Sequence, residues 1–87
     1  MREIEYTTKF KRQYKKLEIS LKLKAKESIS KLQNNPFPRD LDVHKLSWKL
    51  YPYYALSIDY KNRIVFEIQD NWKILLLLIW NHSIYNS

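Results

Sequence analysis

The side chains best suited to chemistry in this 87-residue chain are two histidines, sixteen lysines and arginines, and seven tyrosines. Cysteine and glycine are absent, which excludes thiolate chemistry, cysteine zinc sites and Gly-rich nucleotide-binding loops. His44 and His82 have no histidine three or four residues away, so a helical metal-binding pair is also excluded. What remains is a basic surface with imidazole, guanidinium and phenol groups.

These groups suit the cleavage of RNA by its own 2′-hydroxyl, a reaction that requires no metal. One group must accept the 2′-hydroxyl proton, an acid must protonate the leaving 5′-oxygen, and cations must stabilise the charged phosphorane. Histidine suits the acid role, arginine offers a planar fork to phosphate oxygens, and tyrosine can stack on a base. Arg63, His44 and His82 are therefore candidates. A Ser/His/Asp triad stays open on residue types, although nothing marks a nucleophile.

The positive charge is concentrated in the first half of the chain. The net charge is +7, and residues 1–40 carry eleven of the sixteen basic residues. A basic face favours a polyanionic partner such as nucleic acid, acidic membrane or acidic protein, although a solvated lysine-rich surface is the simpler alternative. The N-terminus lacks an apolar stretch, and the longest apolar run, residues 74–80, is far shorter than the ~20 residues of a membrane helix. Together with the absence of cysteine, this predicts a cytoplasmic protein.

Two amphipathic helices are predicted after a short strand at residues 2–6. The first begins at an N-cap, Thr7 or Thr8, and the second at Ser20. Apolar residues follow at helical spacing in each helix: Phe10, Tyr14 and Leu17 in the first, and Leu21, Ala25, Ile29 and Leu32 in the second. The second helix should end before Pro36, because proline cannot continue it and also restricts Asn35.

The rest of the chain reads as strands. Apolar and polar residues alternate over residues 45–50, 53–59 and 63–69, while residues 72–80 are apolar on both faces, as in a sheet strand covered on both sides. The predicted fold class is α+β, with the order β-α-α-β-β-β-β and a helical hairpin on one face of an antiparallel sheet. Residues 1–87 are expected to form a single domain.

The register of the middle hairpin can be predicted from the alternation. A three-residue loop would pair Asp59 with Arg63, Ser57 with Val65 and Leu56 with Phe66. This pairing keeps one face apolar and the other polar, whereas a two-residue loop would mix them. The prediction places Arg63 on the sheet face that points away from the helices, and an ion pair between Arg63 and Asp59 is its simplest structural role.

Several segments resemble the RelE/ParE-type toxins, nearest the RelE and YafQ-like mRNA interferases. In the C-terminal half the resemblance lies in residues 59–68 (DYKNRIVFEI), 73–79 (KILLLLI) and 82–85 (HSIY). Residues 44–46 (HKL) resemble the element that opens the sheet of these toxins, and residues 9–17 (KFKRQYKKL) resemble their first helix. The resemblance spans nearly the whole chain, and the ordered set of segments is more specific than any one of them.

The resemblance implies roles for individual residues. Arg63 would bind the scissile phosphate, His82 would act as general acid, and Tyr85 would stack on the base beside the cut. Substrate contacts would come from His44, Lys45 and Lys49. The chain departs from the family where glycine usually follows the HKL element and precedes the final histidine, since it has Ser-Trp at 47–48 and Trp-Asn at 80–81. The lysines that serve as general base in RelE are missing, so the base is unassigned.

The function implied by the resemblance is that of a toxin of a type II toxin-antitoxin system. Such a protein would be a metal-independent endoribonuclease, without a cofactor, that cleaves mRNA on the ribosome. Its partners would be mRNA, the ribosome and a cognate acidic antitoxin, with which it would form a hetero-oligomer. Two alternatives stay open: a ParE-like gyrase inhibitor with the same fold and no nuclease activity, and an inactivated toxin or plain RNA-binding module.

Overall fold

The computed structural model describes residues 2–35, 43–45 and 53–81. In chain order the elements are β1 (Ile4–Tyr6), α1 (Thr8–Lys15), α2 (Ile19–Asn34), β2 (His44–Lys45), β3 (Tyr54–Ser57), β4 (Asn62–Ile68), a 3-10 turn (Asp70–Trp72) and β5 (Ile74–Asn81). The predicted α+β class and order of elements are confirmed. Most of the strand predicted at 45–50 lies outside the described residues.

The two helices begin and end for local reasons. Thr7 is the N-cap of α1, because its Oγ1 accepts a hydrogen bond from the Phe10 N–H at 3.0 Å. The predicted Ser20 cap of α2 is wrong: the helix begins at Ile19 with Glu18 as N-cap, and the Ser20 hydroxyl donates instead to the Glu18 carboxylate. Asn35 leaves the helix in an extended conformation, as expected of a residue before proline.

The sheet has the strand order β1-β5-β4-β3-β2. All pairs are antiparallel except β1 with β5, which run parallel, so the sheet is mixed at this edge. The parallel pair is reinforced by Lys73, whose Nζ lies 3.2 Å from a Glu3 carboxylate oxygen and 2.9 Å from one of Glu5. Hydrogen bonds and charge attraction from Glu5 and Glu3 raise the pKa of Lys73.

Both helices pack on one face of the sheet, where their buried side chains meet those of β3, β4 and β5. This core contains Phe10, Ala25, Ile29, Leu32, Leu56, Ile64, Phe66, Ile74, Leu76 and Ile79. We call the opposite face, which carries Ser57, Arg63 and Trp80, the Arg63 face. On β5 the expected coverage of both sides is only partial, since Leu75 and Leu78 are half-buried.

A β-bulge in β5 decides which of its residues face the helices. Phe66 pairs with Leu76 and the preceding Val65 pairs with Leu78, so Leu77 is an extra residue on β5. The Thr7 hydroxyl donates a hydrogen bond to the Leu77 carbonyl. Beyond the bulge the alternation is shifted, so Ile79 points into the core and Trp80 does not.

One residue of the described chain has an unusual backbone conformation. Trp72 lies just before β5 with φ of 62°, in the left-handed region, a conformation that costs a non-glycine residue about 1 kcal/mol.

A helix that spans a membrane must be both long and apolar. Neither α1 nor α2, the helices of the described ranges, is long and apolar enough to cross a membrane.

Candidate functional site

Arg63 lies near the start of β4, on the sheet face opposite the helices. Its neighbour Ile64 is fully buried in the core, and successive side chains of a strand point to opposite faces. Its cross-strand neighbours are Ser57 on β3 and Trp80 on β5. The predicted placement of Arg63 on this face is therefore confirmed.

The guanidinium of Arg63 is oriented by a neutral partner. Its Nη1 donates a hydrogen bond to Ser57 Oγ at 2.9 Å, and the side chain is partly exposed. A hydroxyl positions a guanidinium without cancelling its charge, unlike a carboxylate. Arg63 has further N–H donors in the same planar fork, and these can serve an anion such as a phosphate.

Asp59 does not take the partner that the sequence suggested, because its carboxylate organises the turn between β3 and β4. Oδ1 accepts hydrogen bonds from the Lys61 N–H at 2.9 Å, the Asn62 N–H at 2.7 Å and the Asn62 side-chain amide at 3.1 Å. Partial burial opposes ionisation of the carboxyl, but these hydrogen bonds and the charge of Lys24 outweigh it and hold the pKa of Asp59 below its ordinary value.

The predicted hairpin register is wrong by two residues. Ser57 pairs with Arg63 and Leu56 with Ile64, where the prediction paired them with Val65 and Phe66. The error preserves the alternation, so every side chain points to the predicted face. The loop lies one residue earlier than predicted, since the Ile58 N–H donates to the Asn62 carbonyl at 2.8 Å. Asp59 and Asn62 stabilise this turn with side-chain hydrogen bonds, which the alternation of the strands does not encode.

The last residues of β5 are anchored on both sides of Trp80. The Gln13 side-chain amide donates to the Ile79 carbonyl at 2.9 Å and accepts from the Ile79 N–H at 2.7 Å, in the manner of a neighbouring strand. Asn81 pairs with Asn62, and its Nδ2 donates to Asn62 Oδ1 at 3.1 Å. Because β1 ends at Tyr6, Gln13 continues the hydrogen bonding of β5 beyond that strand.

Several predicted site residues are not brought together within the described part of the chain. His82, Tyr85 and Lys49 lie outside the described residues, as does the side chain of His44, whose backbone pairs with Ala55. Lys45 is exposed and pairs with Tyr54, a residue that packs on the core side of the sheet. The structure therefore places Lys45 on the face opposite Arg63. The convergence of Arg63 and His82 stays a prediction.

Sequence reasoning missed the residues that hold this region in place, namely Ser57, Gln13, Asn62 and Asn81. Ser57 had a detectable signal, because the alternation of β3 puts it on the same face as Arg63. Gln13 had none, since a polar residue in an amphipathic helix is normally assigned to solvent. Its contact with Ile79 spans 66 residues of sequence.

A second surface lies on the helical side of the molecule. It is a groove of about 390 Å³ between α1, α2 and the end of β1, lined by Tyr6, Phe10, Lys11, Tyr14, Lys15, Lys26 and Ile29. The floor is aromatic and aliphatic, whereas the only charged side chains among these lining residues are three lysines. The groove thus combines apolar area with positive charge.

Comparison by sequence finds no relative: no protein-family model matches the chain, and no curated protein matches it significantly. Comparison with solved structures finds many chains of similar fold. A chain of the archaeal RelE-RelB complex from Pyrococcus horikoshii OT3 is similar with a TM-score of 0.80 at 15% identity, covering 94% of this chain and 96% of that one.

Two bacterial structures are similar to the same degree. YafQ from E. coli strain BL21(DE3) has a TM-score of 0.79 at 20% identity, with 100% of both chains covered. A chain of the heterotetrameric YoeB-YefM toxin-antitoxin complex from Staphylococcus aureus has a TM-score of 0.79 at 21% identity, covering 94% of this chain and 98% of that chain. With one strand, two helices and four further strands in a single sheet, this chain has the RelE/ParE toxin fold.

Proposed function

We propose that this protein is the toxin of a type II toxin-antitoxin system, a cytoplasmic endoribonuclease that cleaves mRNA on the ribosome without a metal. The observation that carries the proposal is the guanidinium of Arg63, held by the neutral Ser57 hydroxyl on the sheet face opposite the helices. The RelE/ParE toxin fold supports it, as does the net charge of +7, which favours binding to RNA.

In the proposed reaction the RNA supplies its own nucleophile. The 2′-oxygen attacks the adjacent phosphorus while a base takes up its proton, and the bond between phosphorus and the 5′-oxygen breaks. His82 donates a proton to that oxygen, so the products are a 2′,3′-cyclic phosphate and a 5′-hydroxyl. Arg63 stabilises the negative charge that develops on the phosphoryl oxygens.

The remaining residues of the proposed site hold the RNA. Tyr85 stacks on the base beside the cut, and His44 and Lys49 contact the substrate nearby. These assignments rest on the resemblance of the sequence to the mRNA interferases. Lys45 is left out of the proposed site because its position on the helix-facing side of the sheet separates it from Arg63.

The function is tested with purified protein in the presence of a metal chelator, on an oligoribonucleotide and on mRNA in translating ribosomes. We expect cleavage to products with a 2′,3′-cyclic phosphate. Arg63→Ala should lower kcat/KM at least ~100-fold, as the loss of one group that stabilises transition-state charge does in other enzymes, and His82→Ala should abolish cleavage. Arg12→Ala is the matched control, since Arg12 is an exposed arginine on α1, and it should cleave normally.

Two results would contradict the proposal. Cleavage by the Arg63 and His82 variants at the wild-type rate would remove both residues from the mechanism. If RNA stays intact on and off the ribosome and the protein inhibits supercoiling by DNA gyrase, the protein is a ParE-like gyrase inhibitor and not a ribonuclease.

The proposed partner is an acidic antitoxin that docks in the groove between α1 and α2. The YafQ of E. coli and the YoeB of Staphylococcus aureus are both found in toxin-antitoxin complexes. In this chain, an amphipathic acidic segment could bury apolar side chains against the exposed parts of Tyr6 and Tyr14. Its carboxylates would then meet the three lysines of the groove, Lys11, Lys15 and Lys26. Charge complementarity therefore favours an acidic protein segment in this groove over a nucleic acid, which would leave the apolar floor unused.

A further inference from the structure

We propose that Trp80 is a base-stacking residue of the same site, so that one nucleotide places its phosphate on Arg63 and its base on the Trp80 indole. The ligand class is an unpaired nucleotide of single-stranded RNA. The inference rests on the proposed function, and it assigns a binding role to a residue where the toxins that the sequence resembles usually have glycine.

The sheet register brings the two side chains to neighbouring positions. Arg63 and Trp80 are directly opposite each other on β4 and β5. Arg63 precedes the buried core residue Ile64, and Trp80 follows the buried core residue Ile79. Because successive side chains of a strand point to opposite faces, Arg63 and Trp80 both lie on the face away from the helices. Adjacent strands are about 4.8 Å apart, and cross-strand side chains at that spacing can contact the same nucleotide.

The chemistry of the two groups is complementary. The guanidinium of Arg63 is oriented by Ser57 and keeps its charge for a phosphate. Trp80 is partly exposed, although its indole Nε1 is buried. A base would stack on the exposed part of the ring, and any base can do so because every base has a π-face. Phosphate contacts without base contacts would position RNA but would not hold a base beside the scissile bond.

The backbone on both sides of Trp80 is held in advance of binding. Gln13 makes two hydrogen bonds with Ile79, the residue before it. Asn81, the residue after it, donates to Asn62, whose own amide is held by Asp59. A fixed backbone and an aromatic side chain with two torsions lose little entropy when a base binds, which favours affinity.

Trp72 is the natural control for Trp80 because its surroundings are different. It is 53% exposed, so exposed indole area alone would favour Trp72 as the nucleic-acid contact. Trp72 lies before the start of β5, at the opposite end of the strand from Trp80. Of these two tryptophans, Trp80 is the one that lies opposite Arg63 in the sheet.

The test measures binding of an oligoribonucleotide made uncleavable by 2′-deoxy substitution. We expect Trp80→Leu, which keeps apolar volume and loses the π-face, to raise Kd about tenfold, in line with the usual contribution of one stacked base. Trp80→Phe should stay within about threefold of wild type, as should Trp72→Leu. Melting temperatures of all variants are compared to establish that the fold is intact.

A second arm identifies the stacked base with oligonucleotides that carry one abasic position at successive places. In the wild type we expect one abasic position to weaken binding about tenfold, whereas in Trp80→Leu the same substitution should add nothing. In a Trp48→Phe, Trp72→Phe chain, whose only indole is Trp80, the intact oligonucleotide should quench fluorescence and that abasic one should not. This arm keeps the native residue, so it holds even where Trp80→Leu fails to fold.

The outcomes separate the inference from the function on which it rests. If Arg63→Ala weakens binding while Trp80→Leu and every abasic position leave it unchanged, the stacking role is wrong and the proposed site stands. If the wild type binds no RNA, or Arg63→Ala binds as tightly as wild type, the proposed function itself fails.

Discussion

At the scale of single residues, the main result is that Arg63 and Asp59 take different partners. They are four residues apart in one hairpin, and an ion pair between them is the simplest expectation from sequence. The Asp59 carboxylate instead accepts hydrogen bonds from two backbone N–H groups and a side-chain amide of the turn. Arg63 is held by Ser57. The division leaves the guanidinium charge available for an anion.

The role of Asp59 predicts a specific dependence of stability on pH. Its folded-state pKa lies below the ordinary value of 3.8, so its contribution is fully present above about that pH and is lost as pH falls through the lower, folded-state value. Asp59→Asn should therefore show a shallower loss of unfolding free energy between about pH 4 and pH 2 than the wild type. At pH 7 it should be less stable by about 1–2 kcal/mol, because hydrogen bonds to a charged acceptor are lost.

Urea unfolding measured across this pH range tests the prediction, with Glu27→Gln as control. Glu27 is exposed on α2 and pairs with Lys31 at 3.6 Å, a contact that contributes little. Parallel pH curves for wild type and Asp59→Asn would show that the carboxylate does not stabilise the turn.

At the scale of elements, one hydroxyl joins α1 to β5. Thr7 Oγ1 accepts from the Phe10 N–H as the N-cap of α1 and donates to the carbonyl of Leu77, the extra residue of the bulge. The same hydroxyl oxygen therefore accepts from an N–H group at the start of α1 and donates to the backbone carbonyl of the bulge in β5. Gln13, two turns along α1, adds the pair of hydrogen bonds to Ile79.

Thr7→Val is predicted to lower the unfolding free energy by about 1–2 kcal/mol, because it removes a helix cap and a side-chain hydrogen bond while keeping the shape of the side chain. Thr7→Ser retains the hydroxyl and should lose no more than about half as much. Denaturant unfolding gives the two free energies. Hydrogen exchange at the Phe10 amide should quicken in the valine variant alone, and equal exchange in both variants would refute the capping role.

At the scale of the whole molecule, the two faces of the fold serve different proposed partners. The Arg63 face carries the proposed RNA site, and the helical side carries the apolar groove with Lys11, Lys15 and Lys26. Because most of the basic residues precede residue 41, the helices supply much of the positive field that would attract either polyanion. Partner binding and catalysis can then be altered separately by mutation.

Charge reversal in the groove should weaken binding of the proposed acidic antitoxin. We expect the double variant Lys11→Glu, Lys15→Glu to raise Kd at least tenfold, since each side chain would repel a carboxylate that it now attracts. The double variant Lys9→Glu, Lys16→Glu changes the net charge equally at exposed positions outside the groove lining, and should raise Kd less than threefold. Titration calorimetry at two salt concentrations provides the Kd values. An equal loss of affinity in both double variants would show that the partner responds to the net charge of the protein and does not bind in the groove.

Most of the elements were predictable because their signals are local. The helical stripe of α2 identified Ala25, Ile29 and Leu32 as core, and Asn35-Pro36 marked its end. The alternation of β4 placed Arg63 on the correct face even though the hairpin register was wrong by two residues. A shift of two preserves the side-chain alternation, so the pattern cannot distinguish the two registers, and only the closing of the turn by Asp59 and Asn62 does.

The sequence alone determined the α+β class, the order of elements and the face that carries Arg63, since each follows from the spacing of apolar residues along the chain. It could not determine the orientation of β5, because residues 74–80 are apolar throughout and either set of alternate side chains could face the helices. The tertiary structure decides this through the bulge at Leu77 and its hydrogen bond to Thr7, seventy residues away in sequence. That one extra residue is what places Trp80 beside Arg63 instead of in the core.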